Sequence, residues 1–376
     1  MNVLVIGGAE FVGSHIVEGL LARGCEVRVL DRAEDAAGGN GKSGRWKGSV
    51  EIQEGDPRDA FAVRRALAGI EAVFYCATQR TGTLAELMEA NVTGVAALYE
   101  AASESRAAVE KVVIASTRAV YGEGQNYCEE HGLFLPPPRR AEQLERGDWE
   151  VRCEQCQAVA SPVLLREGRA NPASAYAISK LAQEVTALGL GKSSRIPTVI
   201  LRYSTVIGPR LPFRSGQFGV AAQFASAARD GMSLPVFEDG LQLRDYIHVA
   251  DAVEASLCVL QDKRSDGQVY NVGSGRAVSA LEMARVLAHA ANSESIAQVC
   301  GLYRPGDARH SVASIGKIEA LGWSPSKSLR EMIDDYLVWL GAAPTGGMKG
   351  AEILETAIRQ GRIRGAKLRQ YSAAVG

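Results

Sequence analysis

The sequence predicts an α/β protein built on a doubly wound parallel sheet, and three observations carry that prediction. Short apolar runs alternate with helical stretches through the first half of the chain. The first run, residues 3–6, ends in the turn Gly7-Gly8-Ala9-Glu10-Phe11-Val12-Gly13, which opens a helix. The second run, residues 26–30, closes on Asp31. Strand, glycine turn, helix, strand and acid, in that order, make a βαβ unit, and further repeats extend it with right-handed crossovers.

Each element follows from local pattern. Ile16, Leu20 and Leu21 fall at helical spacing, and Gly24 stops that helix. Residues 45–53 have strand character and lead into Gly55-Asp56, and residues 60–68 read as a helix. Residues 72–77 form a buried strand with Ala77 at its carboxyl end, where open α/β sheets bind ligands. A long helix over 84–102 carries Asn91, and the strand at 111–117 ends in Thr117. Ser174 opens another helix. The chain thus divides into a dinucleotide-binding (Rossmann) domain at 1–190, with an insertion at 123–172, and a smaller α/β lobe at 191–340 interleaved with it. A basic tail with helical pattern follows at 341–376 and is expected to be solvated or loosely docked.

Composition narrows the function. At 376 residues with 46% hydrophobic and 23% charged content, the chain has enough apolar surface for a large globular core. Forty-two basic and 43 acidic residues give a formal net charge of −1, which removes any whole-chain attraction to nucleic acid or anionic membrane. No apolar run reaches the ~18 residues of a membrane span. Seven cysteines without a secretion signal imply reduced thiols or metal ligands, and a cytoplasmic protein.

The glycine turn lets backbone amides at a helix start approach a pyrophosphate. Asp31 is placed to accept from adenosine ribose hydroxyls and to repel a 2′-phosphate, which favours NAD; Arg32 beside it leaves room for NADP. Glu10 stands where a third glycine belongs, and a carboxylate there repels a pyrophosphate unless it turns outward. Asp56 is placed to meet the adenine edge. Tyr176 and Lys180 are spaced to share a helix face. A phenol with a pKa of about 10 is a poor base at neutral pH, and a neighbouring ammonium favours its ionised form. Such a pair can take a proton from a hydroxyl whose carbon loses hydride.

With these motifs in place, Thr117-Arg118-Ala119-Val120-Tyr121-Gly122, residues 201–210, residues 237–251, Tyr270-Asn-Val-Gly273 and Tyr303-Arg-Pro-Gly-Asp307 resemble extended short-chain dehydrogenases/reductases of the nucleotide-sugar epimerase/dehydratase type. Ser204 and Thr205 stand where that family usually has Phe-Asn. The resemblance spans roughly 1–340. It implies a catalytic group of Thr117, Tyr176 and Lys180, with NAD held by Gly7, Phe11, Val12, Gly13, Asp31, Arg32, Asp56, Ala77, Asn91, Tyr176 and Lys180. Substrate contacts fall to Thr205, Arg244, Arg304 and Asp307, the arginines on the diphosphate. A dehydratase of this type has an Asp-Glu pair after the threonine, where this chain has Arg118 and Ala119. Epimerisation at C4 of a nucleotide-diphosphate hexose remains, through a transient 4-keto sugar. The alternatives are a 4-keto-sugar reductase or a non-catalytic dinucleotide-binding regulator. A homodimer through helices 84–102 and 174–190 is also implied.

Thr117 and Tyr176 are 176 − 117 = 59 positions apart, far beyond an ordinary connection of about 4–6 residues. Inside the gap lie Cys128-Glu-Glu-His131 and Cys153-Glu-Gln-Cys156, two close pairs that fit a closed structural zinc site. The insert carries six arginines against nine acidic residues, a balance unsuited to a phosphate backbone. It is expected to fold over the sugar pocket or pack on the sheet. Cysteine-bearing inserts of this kind resemble a subgroup of bacterial nucleotide-sugar 4-epimerases that includes dTDP-L-rhamnose enzymes.

Overall fold

A computed structural model describes residues 1–32, 46, 48–104, 109–212, 219–342 and 350–365. Seven strands form the central sheet: β1 (Asn2–Ile6), β2 (Glu26–Asp31), β3 (Val50–Glu54), β4 (Ala72–Tyr75), β5 (Lys111–Thr117), β6 (Thr198–Tyr203) and β7 (Val269–Val272). They lie in the order β7-β6-β5-β4-β1-β2-β3, and every pairing is parallel. Helices cover both faces, so the central strands are apolar on both sides, as their unbroken apolar runs require. On one face, α1 (Phe11–Leu21) sets Ile16, Val17 and Leu20 against Val253 and Leu257 of the helix Val249–Gln261. On the other, Val63, Val95, Leu98 and Ala187 close a second core, the last from α2 (Ala175–Ser194). Strand order reverses at β1, which pairs with both β2 and β4. A ligand crevice belongs at the carboxyl ends of these strands.

Three sequence expectations are refined. The strand expected at 45–53 occupies Val50–Glu54, and residue 45 lies outside the described residues. The helix expected over 84–102 is interrupted: Leu84–Met88 and Gly94–Glu104 flank a π-turn at Glu89–Thr93 centred on Asn91. α2 is capped by Ser174, whose Oγ accepts from the Ala177 amide at 3.2 Å, and runs on to Ser194.

Residues 191–340 supply β6 and β7 to the main sheet and then short strand pairs of their own. Thr205–Ile207 pairs with Tyr246–His248, and Leu243–Arg244 lies between Val278–Ser279 and His310–Ser311. Phe224, Met283, Ile333 and Tyr336 form the core of this region. The tail is docked over part of its length rather than solvated. The helix Gly350–Arg359 buries Leu354 and Ala357, which join Ile363 against Cys300 and Leu302. Tyr303 and Arg364 exchange backbone hydrogen bonds of 2.8 and 2.9 Å. Among the described residues no helix is long and apolar enough to cross a membrane.

Candidate active site

The glycine turn is set by contact distances. Gly7 has φ +80°, and a Cβ on it would lie 2.3 Å from the Ala77 amide nitrogen. A Cβ on Gly13 would lie 2.2 Å from the Gly7 carbonyl oxygen. Glycine at both positions is what lets β1, the end of β4 and the first turn of α1 meet. Asp31, 4% exposed at the end of β2, accepts from the Ala9 amide at 2.8 Å and from the Arg32 amide at 3.2 Å. Phe11 begins α1 edge-on to His15, and Val12 packs on the core. Asp56 is held by Arg58, whose Nη2 donates at 2.6 Å and keeps the carboxyl pKa below its usual value. Glu10 caps α1 with extended backbone and makes no side-chain cap bond. Burial, then the Glu10 charge, pushes the Cys76 thiol up to about 12, and the same carboxylate acts on Lys180. Its field is therefore felt inside the crevice.

Asn91 ties this edge to α2. Its Oδ1 accepts from the Gln79 amide at 2.8 Å, and its Nδ2 donates to the Gln79 carbonyl at 2.9 Å and to Ser179 Oγ at 3.0 Å. The Asn91 carbonyl accepts from Gln183 Nε2 at 2.7 Å, which the π-turn makes available. Lys180 is 2% exposed; its Nζ donates to the Ala115 carbonyl at 2.7 Å and to Gln183 Oε1. Burial pulls its pKa down to about 8, against the Glu184 carboxylate, which raises it. Ala115 lies two residues before Thr117, so Lys180 reaches the end of β5. Tyr176 is half-buried one turn earlier in α2. Thr117 Oγ1 accepts from the Ala119 amide at 3.2 Å and caps the turn Arg118–Tyr121.

A buried polar chain fixes α2 over the sheet. Ser116 donates to Glu184, Arg202 donates to Glu184 at 2.6–3.1 Å, and Arg202 Nη1 donates to Tyr121 Oη at 3.0 Å. Tyr121 in turn donates to Asn271 Oδ1 at 2.6 Å. Sequence reasoning missed Gln183, Ser179 and the bonds of this chain: Tyr121, Arg202 and Asn271 lie inside the quoted motifs, but nothing in their spacing shows that they meet.

The expected substrate residues cluster on the other side of Thr117. Arg244 donates to Asp307 Oδ2 at 3.0 Å and to the carbonyls of Ala308 and Arg309 at 2.7 and 2.9 Å. The Arg304 guanidinium lies 5.5 Å from the Phe237 ring centre. Arg118, read from sequence only as a missing dehydratase acid, is a third cation here, and its Nε donates to Thr205 Oγ1 at 3.3 Å. Burial, then Arg244, lowers its pKa. Burial raises the Asp307 pKa, but Arg244, Arg118 and Arg304 outweigh it and hold the carboxyl at about 2. Three guanidinium groups act on the Asp307 carboxylate, a donor set of the kind that recognises a diphosphate.

The model of the NAD dependent epimerase/dehydratase family matches residues 3–141 and 160–273. The chain belongs to that family. It is 32% identical over 350 residues to the dTDP-L-rhamnose 4-epimerase of Burkholderia thailandensis, covering 90% of this chain and 94% of that one. Among solved structures it is similar to the Thermus thermophilus UDP-glucose 4-epimerase in complex with NAD, at 32% identity and TM-score 0.70, covering 92% of this chain and 100% of the other. It is also similar to the Thermotoga maritima UDP-glucose 4-epimerase with UDP-glucose, at 26% identity and TM-score 0.71, covering 91% and 99%.

The family match skips residues 142–159, which hold half of the cysteine–histidine group. Cys128 and His131 sit at the turn between the paired strands Asn126–Cys128 and Gly132–Phe134. Cys153 and Cys156 sit on a second turn, closed by the Gln157 amide on the Cys153 carbonyl at 2.9 Å. The four ligand atoms all lie within 4.8 Å of one another. Cys128 Sγ is 3.6 Å from Cys156 Sγ, and His131 Nδ1 is 3.7 and 3.5 Å from Cys128 and Cys153 Sγ. A tetrahedron with zinc–sulfur bonds of about 2.3 Å and a zinc–nitrogen bond of about 2.0 Å has edges of about 3.8 and 3.5 Å. A disulfide sulfur pair, by contrast, is about 2.05 Å apart.

Proposed function

We propose that this chain epimerises a nucleotide-diphosphate hexose at C4, using bound NAD. The observation that carries the reading is Lys180 Nζ at 2.7 Å from the Ala115 carbonyl. This contact, between α2 and a strand residue two positions before Thr117, supports the reading of Thr117, Tyr176 and Lys180 as one group. NAD, which the glycine turn, Asp31 and Asn91 would hold, would supply the hydride acceptor and donor for C4. Thr117 holds the C4 hydroxyl by hydrogen bonding, and Tyr176 takes its proton as the carbonyl forms. The buried Lys180 follows one turn further along α2, and the same tyrosine returns the proton after the sugar turns. Arg244, Arg304 and Thr205 hold the nucleotide diphosphate, with Asp307 orienting Arg244. Arg118 and Ala119 provide no acid to remove a C5 proton or to protonate a C6 leaving group, so 4,6-dehydration has no residues to run on. The Cys128, His131, Cys153 and Cys156 geometry supports a zinc held by four protein ligands, a structural role. Homodimerisation draws support from Ile178 and Val185, exposed seven positions apart on α2.

Incubation with a panel of dTDP- and UDP-hexoses, read by NMR for the C4 diastereomer, tests the function. Tyr176→Phe is expected to slow turnover by about 10²–10⁴-fold. No turnover with any sugar, or an unaffected Tyr176→Phe variant, sinks the reading.

A further inference from the structure

We infer that the cysteine–histidine centre positions the diphosphate-binding arginine, so that metal occupancy controls affinity for the nucleotide-sugar and leaves NAD binding alone. This rests on the reading of residues 128–156 as a metal site and of Arg244 as a diphosphate ligand. The link runs through side chains on both sides of the backbone 307–309. From the substrate side, Arg244 donates to the carbonyls of Ala308 and Arg309 and to the Asp307 carboxylate. From the insert side, Arg139 Nη2 donates to the Asp307 carbonyl at 2.8 Å, and the Arg309 amide donates to Glu123 Oε2 at 2.6 Å. Asp307 and Arg309 therefore have their backbone held by the insert while the segment 307–309 holds Arg244.

The insert's own grip depends on its second cysteine turn. Glu150, three residues before Cys153, accepts from Arg309 Nε and Nη2 at 3.0 and 2.6 Å, and Arg309 is fully buried. Trp149 offers its carbonyl to Arg139 Nη1 at 2.7 Å. Arg139 and Arg309 then share Glu238 on the substrate lobe, at 3.0–3.1 and 2.8 Å. Asp239 adds two further bonds of 2.8 Å to Arg309. The insert's secondary structure beside this turn is slight: three strands of two or three residues and one helix of five. A metal that pins Cys153 and Cys156 to Cys128 and His131 supplies the fixed geometry those strands lack. Guanidinium recognition of a diphosphate depends on orientation, so a loosened 307–309 segment weakens it. The NAD-contacting turn, Asp31 and Asn91 lie on other elements. Arg139 and Arg309 are positioning residues on this account, acting through Arg244.

The test uses the full chain with NAD bound. Metal content is measured by elemental analysis, and calorimetric titration gives the affinities for UDP-glucose, dTDP-glucose and, separately, NAD. Chelation is expected to weaken both nucleotide-sugars about tenfold or more and leave NAD within twofold, with zinc restoring the original value. Arg139→Lys, which keeps all four metal ligands and the charge but cannot bridge Glu238 and Asp307 together, is expected to retain zinc and lose about tenfold in the same titrations. Zinc-free protein with undiminished nucleotide-sugar affinity overturns the coupling and leaves the metal site standing. Protein that neither carries nor takes up zinc overturns the metal reading itself. Should the chelated protein unfold, the zinc-loaded Arg139→Lys variant decides: an unchanged affinity overturns the coupling.

Discussion

Glu10 is the residue at which this chain departs from a glycine-rich phosphate turn, and its cost is measurable. Glu10 is the N-cap residue of α1, and its charge acts on Cys76 and Lys180. Glycine is itself an accepted N-cap residue, so Glu10→Gly removes the negative charge at the helix start at little cost in capping. NAD affinity is expected to rise about fivefold, of the order of 1 kcal/mol at surface dielectric. An unchanged or weaker titration with NAD takes Glu10 off the binding face. Lys180 gives a second prediction. Burial holds its pKa at about 8, so raising the pH through about 8 discharges this ammonium beside the end of β5. The alkaline limb of log(kcat/KM) is expected near 8, far below the lysine value of about 10.4. A limb absent up to pH ~10 removes the Lys180 charge from the mechanism. The glycine turn and the Tyr–Lys pair were legible because their chemistry is written in short spacings. Arg118 was not, since a lone arginine carries no sign of the Thr205 hydroxyl and Arg244 charge around it.

At the scale of elements, α2 shows what sequence patterns reveal and what they omit. Its start was readable from Ser174, and β5 before it from its apolar run. Its height over the sheet was not, because that depends on Glu184 and Arg202, which meet only after β5 and β6 have paired. Both side chains are at most 4% exposed. Arg202→Met leaves Glu184 charged and unpaired in the interior, at a cost of about 3–5 kcal/mol. Arg202→Met combined with Glu184→Met is expected to recover most of that loss, as measured by denaturant midpoints. Equal stabilities for the single and double variants would show that the pair is not coupled. The π-turn at Asn91 was hidden for a related reason. Residues 84–102 carry an unbroken helical pattern, and the extra residue appears because Asn91, 0% exposed, must meet Gln79, Ser179 and Gln183 together.

Over the whole molecule, the insert, the substrate region and the docked tail converge on residues 303–310, a junction that no local pattern announces. Two pairs of Cys/His ligands predicted a module; only the fold shows that it grips the segment carrying Asp307 and Arg309. The electrostatics of that grip dictate how stability responds to acid. His310, then Arg309, hold the Glu150 carboxyl at about 2 against partial burial, and Asp239 is likewise held below its ordinary value by Arg309 despite burial. A carboxylate whose folded pKa lies below its unfolded value of about 4.3 stabilises the fold above that pH. The contribution fades as the pH falls from about 4.5 towards 2, since the unfolded chain then binds the extra proton. Glu150→Gln removes the charge at every pH. Its melting temperature is expected to lie below that of the natural chain at pH 7 and to approach it as the pH drops from 4.5 towards 2. A gap that stays constant over that window means the Glu150 charge contributes nothing to the junction.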